Sequence, residues 1–303
     1  MQYHISTITQ SQKHLHTEEI IMKKILSIAM ALVMMLSCIA AFSSCFKKDK
    51  IIVHTNAFFA PFEYYEGTDI VGVDVEIMKL VAEKMNKDVE FVNVEFSAII
   101  DNVKDGELCD AGAAGITITD KRKEKVDFSI PYYTSVQYVI FSKNDTSIVT
   151  KTVNGKEYIV WEALAGKKLG TQTDTTGWIY ADGEVSEGGI LANTNTEHKS
   201  FDNAQLAADA IGANQIDAVI VDELPAQYIT KNNADLKCVP LYYSGKTDAE
   251  DAPVEEQYAI CVTKGNDELL KAINEVLTDL MKKGADGKSE IEKMVMKHMG
   301  FEN

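Results

Sequence analysis

Hydrophobic and polar positions follow two different periods along this chain of 303 residues. Short apolar runs of strand length recur between turn residues, and in the intervening stretches apolar residues lie three or four positions apart, as on one face of a helix. In residues 74–85, for example, Val75, Met78 and Val81 fall on one such face. Strands that alternate with helices are typical of βαβ units, so the pattern predicts an α/β fold with parallel sheet.

The predicted elements fall into two units separated by the polar stretch 142–157. The first unit contains predicted strands at 51–54, 89–94, 111–115 and 136–141, and predicted helices at 74–85, 98–104 and from residue 120 onward. The second contains a helical turn at 161–164, strands at 168–171, 218–221, 236–241 and 257–262, an acidic turn-rich stretch at 244–256, and helices from residue 176 and at 203–213, 223–230, 267–283 and 289–298. Two similar α/β units suggest a ligand cleft between them.

The N-terminal part of the chain has the pattern of an export signal. Residues 22–44 open with Met-Lys-Lys, continue with an uncharged apolar run and close with Ser-Ser, directly before Cys45. We expect 22–44 to be a lipoprotein signal peptide and Cys45 to be the lipidated first residue of the mature chain. Residues 1–21 precede a complete signal and are expected to be an upstream start-site extension.

An uncleaved membrane anchor remains an alternative for this leader, because the apolar run has about 18 residues, the lower limit for a bilayer span. Cys38 is a second candidate for the lipidated cysteine. Both hypotheses place the rest of the chain outside the cytoplasm. We expect it to be lipid-anchored at the outer face of the cytoplasmic membrane, or periplasmic.

The formal net charge of −16 argues against two classes of partner. Nucleic-acid binding relies on Lys and Arg that neutralise phosphates, and adhesion to anionic lipid needs a basic surface, so neither is expected. After Cys45 the cysteines are Cys109, Cys238 and Cys261, which lack the spacing of metal ligands and are expected to be small buried hydrophobic residues. No metal and no cofactor is predicted.

Three blocks of sequence carry a resemblance to a known family. The blocks are Ala-Pro-Phe-Glu-Tyr at 60–64 with Val-Gly-Val-Asp-Val at 71–75, Gly-Ile-Thr-Ile-Thr-Asp-Lys-Arg at 115–122 with Val-Asp-Phe-Ser at 126–129 and Pro-Tyr-Tyr at 131–133, and Asp-Ala-Val-Ile-Val-Asp at 217–222. In this order and spacing, the chain resembles the amino-acid-binding proteins of ABC importers, solute-binding family 3, over roughly residues 51–301.

The resemblance implies a two-lobed α/β fold of the type II periplasmic-binding-protein kind. Each lobe is expected to be a mostly parallel sheet flanked by helices, with lobe 1 formed by 50–138 and 256–303 and lobe 2 by 139–255. Two hinge strands, 132–141 and 257–262, would cross between the lobes. Closure of the lobes around a ligand would exclude water and strengthen the ionic contacts inside.

A free amino acid presents a carboxylate and an ammonium on one carbon, so its site needs a partner for each. Arg122 suits the carboxylate, since its planar fork can bind both oxygens and it lies at a helix start. Thr117 and Thr175 would add donors, and the resemblance implies that the loop at Thr175 closes from the opposite lobe, although Asp174 stands where the family has Gly. A surface role for Arg122 and plain helix capping by Thr175 and Thr176 stay open.

The ammonium partner is expected at the end of a buried apolar strand. Asp222 ends such a strand at the edge of the sheet where ligands bind in open α/β folds. The resemblance assigns Gly115 to the same end of the ligand. Asp222 can also be the N-cap of the predicted helix 223–230, a role that does not exclude ligand binding.

The resemblance assigns five residues to the pocket for the ligand side chain: Asn56, Phe59, Phe96, Gln172 and Val221. All five are uncharged, and a buried charged side chain would need a counter-charge, so a neutral amino acid, polar or sulfur-containing, is predicted. Phe58 would take the place of Phe59 if the register shifted by one residue.

The expected function is capture of a free L-amino acid by a monomeric extracytoplasmic lipoprotein that delivers it to a cognate ABC permease. The partner ATPase would supply the energy, since this chain has no Walker-type phosphate loop. No catalysis is expected, because the chain has neither a Gly-x-Ser-x-Gly elbow nor a His-Glu-x-x-His helix. A sensory amino-acid-binding domain and a small exported enzyme of the dehydratase type are the alternatives.

Overall fold

The computed structural model describes residues 50–301, so the predictions for 1–44 and for Cys45 lie outside the described residues. The strands are β1 (Lys50–Thr55), β2 (Phe58–Phe59), β3 (Glu63–Glu66), β4 (Asp69–Val71), β5 (Asp88–Asn93), β6 (Ala111–Gly112), β7 (Asp127–Phe128), β8 (Tyr133–Ser142), β9 (Lys151–Val153), β10 (Lys156–Val160), β11 (Lys168–Gln172), β12 (Glu197–Phe201), β13 (Ala218–Asp222), β14 (Leu236–Tyr243), β15 (Ala252–Pro253), β16 (Glu255–Tyr258) and β17 (Cys261–Val262).

The α-helices alternate with these strands, as the hydrophobic pattern predicts. They are α1 (Val73–Lys84), α2 (Phe96–Asp105), α3 (Asp120–Lys123), α4 (Thr176–Val185), α5 (Ala204–Gly212), α6 (Glu223–Lys231), α7 (Asp267–Leu280) and α8 (Glu290–His298), with short 3₁₀ turns at Trp161–Leu164 and Asp248–Glu250. Within residues 50–301, no helix is both long and apolar enough to cross a bilayer.

The two C-terminal helices illustrate why the sequence folds locally as it does. On α7, residues three or four apart such as Leu269, Ile273 and Leu277 are buried, while the charged residues between them face solvent. The start of α8 is set by a capping box, in which Ser289 and Glu292 each accept a hydrogen bond from the other's backbone N–H.

The first sheet has five strands in the order β5-β1-β6-β17-β7. Strand β1 pairs in parallel with both β5 and β6, whereas β17 returns from the C-terminal part of the chain and runs antiparallel to β6 and β7. Helices α1, α7 and α8 cover one side of this sheet, and their core includes Val53, Ile77 and Ile273.

The second sheet runs in the order β12-β11-β13-β8-β14-β10-β9, with β15 beside β14 and β16 beside β8. Strand β11 is parallel to β12 and β13, and β10 is parallel to β14. The long strand β8 lies antiparallel to β13, β14 and β16. A separate three-stranded sheet, β2-β3-β4, lies beside the first sheet's helix α1.

Both large sheets are mixed, where the sequence predicts mostly parallel sheets. The antiparallel pairs of the first sheet all involve β17, and most of those in the second involve β8, strands that return from another part of the chain; β9 with β10 and β14 with β15 are the other antiparallel pairs of the second sheet. A returning strand carries the same apolar residues as a parallel one, so the hydrophobic pattern does not reveal its direction.

Two predicted strands are shorter than expected. The predicted strand 257–262 is two pieces, because β16 pairs with β8 up to Tyr258 and β17 pairs with β6 and β7 from Cys261. The predicted strand 111–115 ends at Gly112, after which the chain bends and Gly115 adopts a left-handed φ of 53°. This bend matters for the site, since Gly115 lies in it.

Several edge strands are absent from the sequence-based predictions. The polar stretch 142–157 contains β9 and the first two residues of β10, which pairs antiparallel with β9. Strand β12 has the polar sequence Glu-His-Lys-Ser-Phe. Edge strands are solvated on at least one side, so they carry no apolar run by which to recognise them.

Strands β8 and β16 link the part of the chain that forms the first large sheet to the part that forms the second. Tyr133 of β8 pairs with Tyr258 of β16, and further along β8 joins β13 and β14. The predicted lobe boundaries, 50–138 with 256–303 and 139–255, and the hinge motion remain predictions.

Candidate functional site

A small, largely closed cavity of about 10 Å³ lies at the carboxyl ends of β1, β11 and β13, the edge of a sheet where ligands bind in open α/β folds. Its lining consists of Asn56, Phe59, Phe96, Ala114, Gly115, Thr117, Arg122, Gln172, Thr175, Thr176 and Asp222. The structure therefore brings the predicted ligand-contact residues together around one space, except Val221. That valine is buried in the hydrophobic core instead of lining the cavity. The ligand contacts themselves remain predictions.

Arg122 is held at one end of the cavity by its local sequence. It lies in α3, whose N-cap Thr119 accepts a hydrogen bond from the Arg122 backbone N–H at 3.2 Å. Its side chain is 8% exposed, whereas those of the neighbouring Lys121 and Lys123 point to solvent, so the alternative of a surface arginine is wrong. Burial lowers the pKa of Arg122 from its usual value.

The guanidinium of Arg122 contacts both halves of the chain. One terminal nitrogen donates to the backbone carbonyl of Thr117 at 2.8 Å and the other to that of Asp174 at 2.9 Å. The ring of Phe96 lies 5.4 Å from its central carbon, within cation–π range. Within residues 50–301, Arg122 makes no ion pair with a carboxylate, and its fork has further N–H donors beyond these two bonds. A ligand anion would supply the missing counter-charge.

The loop before α4 faces Arg122 from the second sheet. Thr175 is the N-cap of α4, where its hydroxyl accepts from the Trp178 N–H at 3.2 Å and donates to the carbonyl of Gln172 at 2.8 Å. The capping alternative is thus correct for Thr175, and its hydroxyl hydrogen already has an acceptor. Asp174, in the position where the family has Gly, is exposed and has a left-handed φ of 61°. Its charge points away from the cavity.

Gly115 is shaped by two constraints that a larger residue would violate. Its φ of 53° lies in the left-handed region, and a Cβ there would stand 2.7 Å from the Cε1 atom of Phe59. Its backbone N–H donates to a carboxylate oxygen of Asp74 at 2.9 Å, and Tyr132 donates to the other oxygen at 2.5 Å. Burial raises the pKa of Asp74 to about 6, although both hydrogen bonds act in the opposite direction.

Asp222 ends β13 and lines the opposite end of the cavity. One carboxylate oxygen accepts from Gln137 at 2.7 Å, and the other accepts from the hydroxyl of Tyr258. Asp222 occupies the N-cap position of α6, but its side chain makes no capping hydrogen bond, so its carboxylate is oriented towards the cavity and not the helix. Burial raises its pKa, while the bonds from Tyr258 and Gln137 and the charge of Arg122 lower it.

Two amide side chains, those of Asn56 and Gln172, form one wall of the cavity. Gln172 donates to the side-chain oxygen of Asn56 at 2.9 Å and to the carbonyl of Asp202 at 3.1 Å, and Asn56 donates to the carbonyl of Val94 at 2.8 Å. Phe59 lines the cavity and is 8% exposed, whereas Phe58 is 44% exposed, so the register with Phe59 inside is correct. The wall is polar and carries no charge.

Glu256 is a buried acid beside the site that the sequence pattern does not identify. It is 2% exposed on β16, directly behind Thr117 and Thr176. One of its oxygens accepts from the Thr176 hydroxyl at 2.7 Å and from the Thr117 hydroxyl at 3.0 Å, and the other accepts from Gln137 at 3.1 Å. Burial, with Asp222 nearby, raises the pKa of Glu256 to about 8.

The burial of Glu256 escapes the sequence pattern for a physical reason. Its position ends an acidic, turn-rich stretch, where glutamates are usually solvated. In β16 the residues are alternately exposed and buried, which puts Glu256 and Tyr258 on the inner side of the strand. The alternation of side chains from Tyr258 back along the strand is the one feature of the sequence that indicates the burial of Glu256.

The charged groups that line the cavity match the two charges of a zwitterion. Among the described residues that line it, Arg122 is the cation and Asp222 the anion, and the two form no ion pair with each other. Within residues 50–301, no cluster of three or more His, Cys, Asp or Glu side chains is arranged to hold a metal ion. Cys109 and Cys261 are buried and Cys238 is partly buried, and none of the three is among the described residues that line the cavity.

Comparison with known proteins supports the same architecture. The model of the bacterial extracellular solute-binding proteins, family 3, matches residues 51–298. The arginine-binding extracellular protein ArtP of Bacillus subtilis (strain 168) is 30% identical over 252 residues, which cover 82% of this chain and 86% of ArtP.

Solved structures show similar folds with two different ligands. An ancestral arginine-binding protein bound to arginine aligns with a TM-score of 0.67 and 31% identity, covering 83% of this chain and 98% of that one. An ancestral arginine-binding protein bound to glutamine aligns with a TM-score of 0.66 and 32% identity, covering 84% and 99%. The fold is that of the type II periplasmic binding proteins.

Proposed function

This chain belongs to the bacterial extracellular solute-binding proteins, family 3, and we propose that it captures a free, neutral L-amino acid in the cavity and delivers it to an ABC importer. One observation carries the proposal. A buried guanidinium and a buried carboxylate face one cavity without pairing with each other, at Arg122 and Asp222. Unpaired buried charges are costly, so each calls for a ligand group of the opposite sign.

The ligand carboxylate is assigned to Arg122. The guanidinium keeps N–H donors beyond the two that bind the carbonyls of Thr117 and Asp174, and a carboxylate can accept two of them in parallel. The hydroxyls of Thr117 and Thr175 donate to other acceptors here, so backbone N–H groups at the start of α4 are the better additional donors.

The ligand ammonium is assigned to Asp222, with the backbone carbonyl of Gly115 as a second acceptor. Each carboxylate oxygen of Asp222 accepts one protein hydrogen bond and has capacity for another. Tyr258 and Gln137 hold the carboxylate in place, so that it is oriented before the ligand arrives. A charge-assisted bond in such a site contributes about 1.5–3 kcal/mol.

The uncharged wall of Asn56 and Gln172 favours a neutral side chain. Their amides offer a donor and an acceptor to a polar ligand, and the rings of Phe59 and Phe96 offer apolar contact. A ligand such as arginine would bring a second positive charge, for which no lining acid remains after Asp222 has bound the ammonium. The proposed neutral ligand therefore differs from the arginine in the name of ArtP and agrees with the glutamine bound in one of the solved structures.

The chain would act outside the cytoplasm as a monomer tethered by lipid at Cys45, and it would bind without turnover. Its partners would be a cognate permease and ATPase. Release of the bound amino acid unchanged, detected by mass spectrometry, is expected; a dehydrated or hydrolysed product would instead favour the enzyme alternative.

A thermal-shift screen of the purified protein against the twenty common amino acids tests the proposal. A ligand at 100 times its dissociation constant stabilises the folded state by about 2.7 kcal/mol, enough for a clear rise in melting temperature. We expect neutral amino acids, glutamine among them, to give the largest shifts. A response confined to arginine and lysine would contradict the neutral-ligand assignment, and no response to any amino acid would reject the function.

A further inference from the structure

Glu256 connects three parts of the molecule that must come together when a ligand is enclosed. It receives one threonine hydroxyl from each side of the cavity, Thr117 ahead of α3 and Thr176 at the start of α4. Both hydroxyls donate to the same carboxylate oxygen of Glu256, and the two hydroxyl oxygens lie 3.4 Å apart. Through Gln137 the other oxygen is connected to Asp222, the acid assigned to the ligand ammonium.

We propose that Glu256 is a positioning residue that couples ligand binding to closure, by releasing a proton when a ligand ammonium neutralises Asp222 and then holding Thr117 and Thr176 together as a carboxylate. The proposal rests on the amino-acid-binding function proposed above and adds to it the release of one proton when the ligand binds. Only the O–H bond of the Glu256 carboxyl breaks, and its proton leaves to solvent.

The geometry explains why Glu256 and Asp222 would not both be ionised without a ligand. The single N–H₂ group of Gln137 donates to both carboxyls, at 2.7 Å to Asp222 and 3.1 Å to Glu256. Both acids are at least 95% buried, and two negative charges tied to one amide repel each other strongly at low local dielectric. The hydrogen bond from Tyr258, followed by that from Gln137 and the charge of Arg122, favours the ionised form of Asp222, so we place the proton on Glu256.

Among the described residues, Asp222, Tyr180, Tyr258 and Arg122 are the titratable or charged groups that face Glu256, and of these only Arg122 favours its ionised form. Asp222 at the end of β13 raises the pKa of Glu256, and burial raises it further, to about 8. Tyr180 of α4 and Tyr258 of the same strand have raised pKa values and stay neutral, and Arg122 of α3 is the cation. A ligand ammonium beside Asp222 would offset its negative charge and so lower the pKa of Glu256.

Ionisation of Glu256 would strengthen the contact between the two sides. A carboxylate is a better acceptor than a neutral carboxyl, and hydrogen bonds to a charged acceptor are about twice as strong as neutral ones. Both threonine hydroxyls would then donate to an anion. The glycine at position 177 leaves room for the side chain of Gln137, because a Cβ on residue 177 would stand only 2.8 Å from the side-chain oxygen of Gln137.

Calorimetry in two buffers with different ionisation heats measures the protons released on binding. The first probe is L-glutamine, followed by the amino acid with the largest shift in the screen. We expect the wild type to release close to one proton per ligand at pH 7, and Glu256→Gln to release none. The dissociation constant of the wild type should rise as the pH falls from 8 to 6, by up to about tenfold per pH unit at the lower end, and that of Glu256→Gln less than twofold.

Two further variants separate this role from a merely structural one. Glu255→Gln changes the exposed neighbour on β16 and should behave as the wild type in both measurements. Glu256→Ala removes the shared acceptor and should weaken binding at least about tenfold, whereas Glu256→Gln should keep most of the affinity at pH 6, where the carboxyl of the ligand-free wild type is neutral too. Equal affinity of Glu256→Ala and the wild type would overturn the role in closure.

The possible failures can be told apart. Binding of an amino acid with the same proton release in the wild type and Glu256→Gln would overturn the role of Glu256 and leave the proposed function standing. Absence of amino-acid binding in the wild type would reject the function and the proton coupling together. The ligand-free proteins give an independent check, since the melting temperature of the wild type should fall relative to Glu256→Gln as the pH rises from 6 to 9; parallel curves would contradict the buried proton.

Discussion

The two charged ends of the cavity are built in different ways. At one end Arg122 is positioned by its own neighbourhood, through the N-cap Thr119 three residues before it and the carbonyl of Thr117 five residues before it. At the other end Asp222 is held by Gln137 and Tyr258, 85 and 36 residues away in sequence. A local motif specifies most of the cationic end, to which the distant carbonyl of Asp174 adds one hydrogen bond, whereas the anionic end exists only when distant strands meet.

This difference bears on how each end responds to ligand. The cationic end contains one charge bound to backbone carbonyls that cannot titrate. The anionic end contains two carboxyls joined through Gln137, of which Glu256 has a pKa of about 8. Proton uptake or release near neutral pH is therefore expected from the anionic end alone.

The largest effect is expected from removing the cation. Arg122→Ala should weaken amino-acid binding about 100-fold or more, because truncating one partner of a buried charge pair costs about 2–5 kcal/mol. Isothermal titration calorimetry measures the affinity, and circular dichroism verifies that the fold is kept. Lys121→Ala, at the exposed neighbouring position, is the matched control and should bind normally. Unchanged affinity in Arg122→Ala would remove the carboxylate assignment.

Removing the anion should cost less. Asp222→Asn keeps a hydrogen-bond acceptor for Tyr258 and loses the charge, so binding should weaken about 10- to 100-fold, the value of one charge-assisted bond of about 1.5–3 kcal/mol. Calorimetry on Asp222→Asn and on the exposed control Asp209→Asn measures the difference. An affinity loss larger than that of Arg122→Ala would reverse the order proposed here for the two ends.

A smaller effect is expected from a substitution in the bend that contains Gly115. Gly115→Ala should lower the free energy of unfolding by about 1–3 kcal/mol, from the strain of a left-handed φ and from displacement of the Phe59 ring. Gly67 has a similar φ of 64°, and no atom lies within 4 Å of the position that a Cβ would take there, so Gly67→Ala isolates the backbone strain. Chemical denaturation gives both values, and equal losses would show that Phe59 accommodates the methyl group.

The last prediction concerns the pH dependence of stability and a buried acid outside the cavity. Glu63 is fully buried on β3, neither of its oxygens has a hydrogen-bond partner among the described residues, and burial followed by the charge of Asp74 raises its pKa well above the usual value. A raised folded-state pKa means that its contribution is fully present below the unfolded pKa of about 4.5 and is lost as the pH rises towards the folded value.

Glu63→Gln should remove that pH dependence. Between pH 5 and 8, the wild type should lose up to about 1.4 kcal/mol of unfolding free energy per pH unit relative to the variant. Denaturant titrations at several pH values measure the two slopes. The exposed Glu66→Gln should follow the wild type, and identical slopes for Glu63→Gln and wild type would contradict a buried neutral carboxyl.

Much of the fold can be predicted because apolar periodicity survives in the sequence. For helices such as α1 and α7 and for the buried strands β11 and β13, the predicted bounds lie within a few residues of the observed ones. Edge strands β9 and β12 escape prediction, since a solvated strand has no apolar run. The directions of β8 and β17 escape it too, because the hydrophobic pattern of a strand is the same in either direction.

The sequence by itself indicated the α/β class, through local patterns, and the family resemblance, through three short motifs; that resemblance then assigned most of the residues that line the cavity. Only the tertiary structure decided that Val221 packs into the core, that Phe59 and not Phe58 faces the cavity, and that Glu256 is buried beside Asp222. The reason is that burial and pairing of these side chains arise from strands far apart in the chain, and a carboxylate looks the same in sequence whether it is solvated or enclosed.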